Sequence, residues 1–103
     1  MEEIEFVVYI LLCSDGSLYT GSATDVDSRL ESHRLGLDPT CYTYSRRPVR
    51  LVWTGMFESW EAALAWERQV KGWSRAKKLA LTEGDWEEIQ RLSSSKRRRA
   101  GRT

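Results

Sequence analysis

Residues 6–33, FVVYILLCSDGSLYTGSATDVDSRLESH, read as a strand, a tight turn, a second strand and the opening of a helix. Residues 6–14 are apolar and β-branched, and Ser14-Asp15-Gly16 closes them with a hairpin signal. Side-chain parity decides how the hairpin turns. A two-residue loop at Asp15-Gly16 pairs Leu12 with Tyr19 and leaves Tyr9 and Tyr19 on opposite faces. A three-residue loop, with Gly16 left-handed, pairs Leu11 with Tyr19 and Tyr9 with Gly21, so both rings share a face with Gly21. The other face then receives Val8, Ile10, Leu12, Leu18 and Thr20, a sensible core face. The odd loop is the expected one.

Outward from the hairpin, Thr24 or Asp25 can cap a first helix that runs to about Leu35 and stops at Gly36. Its inward stripe is Val26, Arg29, Leu30, His33 and Leu37. Arg29 and His33 are one turn apart, on or beside the face that packs on the sheet, an expensive place for a guanidinium without a partner. Residues 36–48 form a polar loop in which Tyr42 and Tyr44 interleave with Arg46 and Arg47, a pattern suited to nucleic acid. A third strand is expected over Val49–Phe57. Ser59 caps a second helix over Trp60–Lys71, ended by Gly72, with Glu67 as a carboxylate inside its apolar stripe. Ser74 caps a third helix to about Thr82, carrying Arg75, Lys77 and Lys78. Asp85 and Glu88 have capping-box spacing for a short fourth helix to Leu92. From Ser93 the sequence SSSKRRRAGRT has no apolar anchor, and a disordered basic tail is expected. The chain has no internal repeat.

A chain of 103 residues, 41% apolar with five Trp, bounds one folded domain. No apolar run approaches the roughly 20 residues of a membrane-spanning helix. The acidic start MEEIEF lacks a secretory pattern, so a cytoplasmic location without membrane contact is expected, with Cys13 and Cys41 as free thiols and small apolar fillers. The net charge of +1 conceals segregation: residues 1–28 carry six acids and no base, while residues 29–78 carry ten bases against five acids. That basic middle suits a polyanion partner, though a charge run alone more often marks a solvated face.

Taken together, these positions resemble the GIY-YIG nuclease superfamily, in its small stand-alone bacterial subgroup, over about residues 6–82. Val7-Val8-Tyr9 matches the first tripeptide through its tyrosine, and Tyr19-Thr20-Gly21 matches the second with Thr20 in place of isoleucine. Arg29 follows ten residues after Tyr19, His33 one turn later, and Glu67 matches the metal-binding glutamate. The stretches YILLCSDGSLYTG, SRRPVRLVW and ERQVKGWSRAKKLAL resemble the subgroup's framing sequences. The resemblance implies an α/β fold of the α+β type, a three-stranded antiparallel sheet flanked by helices, as a nuclease domain over residues 1–92 followed by a basic tail over 93–103. It implies hydrolysis of a DNA phosphodiester with Mg²⁺ or Mn²⁺ held at Glu67. Arg29 would bind the scissile phosphate, either Tyr9 or Tyr19 would take a proton from the attacking water, and His33 would relay it. Gly21 would leave room for substrate, and Arg46, Arg47, Lys71, Lys77 and Lys78 would contact it. Two positions depart from the pattern: Ser22 stands where a basic residue is frequent, and Leu79 where an asparagine is frequent.

Taken singly, each residue has a blander explanation: half-buried strand tyrosines, a bulge glycine, a salt-bridged arginine, a structural histidine, a snorkelling glutamate. The coincidence of Tyr9, Tyr19, Arg29, His33 and Glu67 at matching positions favours the nuclease, selective for DNA structure (branched, nicked or single-stranded) more than for sequence. Ser22 and Leu79 keep open a non-catalytic nucleic-acid-binding module of the same fold. A nuclease subunit that needs a protein partner is the third reading.

Overall fold

Strand β1 (Phe6–Leu12) and strand β2 (Leu18–Ala23) form the odd-looped hairpin. Gly16 sits at φ 83°, its N–H donates to the Cys13 carbonyl, and the Cys13 N–H donates to the Ser17 carbonyl, each at 2.9 Å. The register pairs Leu11 with Tyr19 and Tyr9 with Gly21, as parity requires. Strand β3 (Arg50–Phe57) joins antiparallel on the other edge of β1, giving the order β2-β1-β3. The expected three-stranded antiparallel sheet is therefore present, with β1 at its centre and Val7–Leu11 buried without a break. The register against β3 shifts between Ile10 and Leu11, which face Trp53 and Leu51 and leave Val52 as the extra residue of a bulge.

Helix α1 (Val26–Leu35) is capped by Asp25, which accepts from the Ser28 N–H, an arrangement worth about 1 kcal/mol. It ends at Gly36, left-handed at φ 65°. That reversal breaks the expected inward stripe: Leu37 is 66% exposed, because the chain has already left the helical path. Val26 and Leu30 pack against Tyr9, Leu11 and Ala23, so α1 covers the tyrosine face of the sheet. Helix α2 (Trp60–Lys71), capped by Ser59, covers the opposite face. Its Trp60 ring lies 5.6 Å from Phe6, and Trp66 lies 6.4 Å from Phe57. Between α1 and β3 the loop contains a single 3-10 turn, Tyr44–Arg46.

The structure, a computed structural model, describes residues 5–100, with side chains described as far as Ser93, and it divides after Gly72 into two compact units. In the second unit, α3 (Arg75–Thr82) is capped by Ser74, and α4 (Trp86–Ala100) begins after Asp85, which accepts from the Glu88 N–H. The two helices pack on one another. Glu88 turns to Arg91 and does not reach back to close the box. The fourth helix runs past the expected end at Leu92 to Ala100, a correction to the disordered tail. Serine, lysine and arginine all tolerate a helix, and no glycine or proline interrupts the run before Gly101. Residues 101–103 of that tail lie outside the described residues. None of the described helices is long and apolar enough to cross a membrane.

Thr20 occupies the α2 face at 3% exposure, and its hydroxyl has no hydrogen-bond partner among the described residues. An orphaned buried hydroxyl costs roughly 1–3 kcal/mol. The shape-matched Thr20→Val is therefore expected to stabilise the fold by about 1 kcal/mol and to raise the thermal midpoint. A lowered midpoint in a thermal melt would mean the hydroxyl has a partner.

Candidate active site

The tyrosine face of the hairpin and the buried side of α1 meet at His33. Its Nε2 lies 2.9 Å from the Tyr9 hydroxyl, and its Nδ1 lies 2.8 Å from Thr43 Oγ1 on the α1–β3 loop. Both ring nitrogens are thus held, and the two bonds orient the imidazole in either neutral tautomer. Burial, with the Arg29 charge second, pushes the His33 pKa below its ordinary 6.5. A depressed histidine pKa means that the unfolded chain binds the proton more tightly. Its stabilising contribution is complete above about pH 6.5 and is lost as pH falls through the folded value. Thermal melts between about pH 7 and pH 5 are expected to show a decline that His33→Asn lacks, before the carboxylates begin to titrate.

Tyr9 and Tyr19 share the face but not the environment. Tyr9 is 1% exposed, and burial first, then the neighbouring Tyr19, hold its pKa far above the ordinary value, with Arg29 opposing. Tyr19 is half-buried and lines an open cleft with Arg29 and His33. Its pKa is raised by burial, then by Cys41 and Glu67, and lowered by Arg29. The two rings are 6.5 Å apart, and Tyr19 meets His33 edge-on at 5.2 Å. Arg29 is exposed on the cleft side of α1, so the desolvation cost expected for it does not arise.

Gly21 has a different reason from the one expected. A Cβ there would lie 2.5 Å from the Tyr9 hydroxyl, so the space belongs to the Tyr9 ring and not to substrate. Gly21→Ala is expected to push Tyr9 off His33 and destabilise the fold by about 1–3 kcal/mol, the usual range for overpacking. A denaturant midpoint at the wild-type value would contradict that assignment.

Glu67 reaches the sheet through Ser22, on the face opposite Gly21. Its Oε1 accepts from the Ser22 hydroxyl at 2.5 Å, and its Oε2 pairs with Lys71 Nζ at 2.6 Å. The side chain is 14% exposed, whereas Lys71 is 52% exposed. Strand β2 is the sheet edge, and the Glu67 charge raises the pKa of both tyrosines across it. Three of the five expected residues, Tyr19, Arg29 and His33, thus line one cleft, Tyr9 is buried behind it against His33, and Glu67 lies within electrostatic reach.

The expected substrate-binding cations are placed otherwise. Arg46 donates to Asp15 and to the Tyr42 carbonyl and lies 3.8 Å over the Tyr42 ring, which stacks on Tyr19 at 6.1 Å. Arg47 donates to the Tyr44 carbonyl and lies 4.9 Å from the Tyr44 ring. Both guanidiniums brace the loop, and their contact with substrate stays a proposal. Lys71 is engaged by Glu67. Lys77, 4.2 Å over Trp73, and Lys78 belong to α3 in the second unit. Sequence reasoning missed Thr43, 1% exposed and bonded to His33, because a threonine in a polar loop carries no signal. It also took Cys41 for filler, yet the thiol lies 3.4 Å from Thr43 Oγ1 and lines the cleft.

The chain belongs to the GIY-YIG family: the GIY-YIG catalytic domain, a nuclease domain, matches residues 5–80. It is 47% identical over 91 residues to the UPF0213 protein BH0048 of Halalkalibacterium halodurans, covering 85% of this chain and 96% of that one. A UPF0213 protein of Staphylococcus aureus is 51% identical over 74 residues, covering 72% and 89% of the respective chains. The solution NMR structure of the UPF0213 protein BH0048 from Bacillus halodurans superimposes with a TM-score of 0.52 at 46% identity, covering 87% of this chain and 98% of that one.

Proposed function

We propose that the chain is a divalent-metal-dependent DNA endonuclease that selects DNA structure over sequence. The observation that carries this reading is the meeting of Tyr19, Arg29 and His33 on one open cleft, with the Glu67 carboxylate close enough to act on both tyrosines.

Glu67 suits a hard cation. Mg²⁺ takes one or two carboxylates and completes its shell with water and phosphate oxygens, and no group of three ligating side chains occurs among the described residues. Lys71 must leave Oε2 for this. Lys71 is 52% exposed and can swing into solvent, so a cation with a DNA phosphate can displace it. Such a cation, Mg²⁺ or Mn²⁺, supplies Lewis-acid stabilisation of the charge developing on the phosphate.

The remaining chemistry belongs to this chain. Arg29 presents its fork to the scissile phosphate from the cleft wall. Tyr19, beside it, is the better-placed base for the attacking water once its own hydroxyl proton has passed to solvent, a loss the Arg29 charge favours, since Tyr9 is closed off by burial and bonded to His33. Tyr9 and Thr43 hold the His33 ring, which meets Tyr19 edge-on and positions it in the cleft wall. Lys77 and Lys78 remain proposed contacts to phosphates away from the cut.

A second reading, a non-catalytic nucleic-acid-binding module, draws on Glu67 having both oxygens engaged by Ser22 and Lys71. Incubation with branched, nicked, single-stranded and paired DNA in Mg²⁺ or Mn²⁺ separates the two. Chelator-sensitive cleavage supports the nuclease, and salt-sensitive binding without cleavage supports the module.

A further inference from the structure

We propose that the cavity beside Tyr19 and Arg29 is a nucleobase site, taking one unstacked base from the strand whose phosphate faces Arg29. This rests on the nuclease reading and adds a requirement to it: the substrate carries an unpaired nucleotide next to the cut.

The cavity, about 570 Å³, falls within the range of small-ligand pockets and suits a nucleotide, not a duplex. One wall is the site itself, with Tyr19, Arg29 and His33. The loop after α1 supplies most of the remaining lining, with three large side chains open to solvent: Leu37 is 66%, Tyr42 44% and Tyr44 37% exposed. Large apolar groups gathered beside a polar site mark a ligand surface. The loop is also fixed in advance. Tyr42 carries Arg46 over its ring and stacks on Tyr19, so it is already engaged within the protein. Tyr44 meets Arg47 on one side. Tyr44 and Leu37 are therefore the surfaces against which a base can lie.

Charge argues for a base over a second phosphate. Arg46 Nη1 and Arg47 Nε donate to loop carbonyls, and the cavity lining includes Asp38. Thr40 donates twice to Asp38 Oδ1, from its N–H at 3.0 Å and its hydroxyl at 2.6 Å, and these bonds keep the carboxyl ionised. Oδ2 takes no bond from the described residues and can accept from the exocyclic amine of cytosine, adenine or guanine, which thymine lacks.

The test moves a single abasic position along a short single-stranded oligodeoxynucleotide and measures binding to the full chain with chelator present. At one position the affinity is expected to fall about ten-fold, as when a base-stacking aromatic is removed. Tyr44→Ala is expected to show the same loss on intact DNA and none further on that abasic strand. Leu37→Ala, at a position too exposed to endanger folding, provides the second variant with the same pattern. Thymine placed at the sensitive position is expected to bind more weakly than cytosine, a difference that Asp38→Asn removes. A flat scan, losses that add, or no DNA binding at all overturns the proposal. Cleavage with a flat scan removes the base site and leaves the nuclease. Coupled losses without cleavage in Mg²⁺ or Mn²⁺ support the base site and remove the nuclease.

Discussion

Glu67→Gln is expected to lower metal-dependent DNA cleavage by about a thousand-fold or more. Lewis-acid stabilisation of a transferring phosphoryl group supplies several kcal/mol, and each 1.36 kcal/mol is tenfold in rate. Glutamine keeps the length of the side chain and can still accept from the Ser22 hydroxyl, so the contact between α2 and the sheet edge survives. What it loses in the fold is the pairing with the half-exposed Lys71, whose ammonium can turn to solvent. Rate and thermal midpoint should therefore separate, the first collapsing and the second barely moving. Lys71→Met is the companion experiment, since it frees Oε2 without removing the carboxylate. It is expected to tighten Mn²⁺ binding measured by titration calorimetry in the absence of DNA. Cleavage by Glu67→Gln at the wild-type rate would remove Glu67 from the chemistry.

The hairpin was legible because its information is local. Asp15-Gly16 can turn the chain in only a few ways, and period-2 alternation then converts loop length into a choice of face for Tyr9 and Tyr19. The caps at Asp25, Ser59 and Ser74 were legible for the same reason, each needing only a side-chain oxygen two or three residues before an open N–H. The candidate site residues stood out in the sequence as polar side chains at positions a packed face does not need. The role of each arginine was hidden. Arg46 and Arg47 look the same in sequence whether they meet a phosphate or a neighbouring carbonyl, and only the path of the loop decides. Gly21 signals close approach without saying what approaches, and the nearest group is the Tyr9 ring. Thr43 could not be found at all: its importance comes from His33, ten residues away, and from a loop that follows no period.

Arg29→Ala is expected to lower cleavage by about a thousand-fold, the lower end of what a phosphate-clamping arginine contributes. Because Arg29 is exposed, stability should change by no more than about 0.5 kcal/mol. The informative variant is Arg29→Lys. Lysine restores a positive charge at the cleft wall but not the planar fork that grips two phosphate oxygens. His33 gives an independent reading of that charge, because it is the chain's single histidine and Arg29 lowers its pKa after burial has done so. An NMR titration of the imidazole should therefore move up towards 6.5 in Arg29→Ala and return most of the way in Arg29→Lys. Cleavage should not return with it. Charge and fork are then separated within one pair of variants: the titration follows the charge, and the rate follows the fork. If lysine restored the rate as fully as the titration, the arginine would act only through its field on Tyr19 and His33, and direct binding of the scissile phosphate would have to be given up.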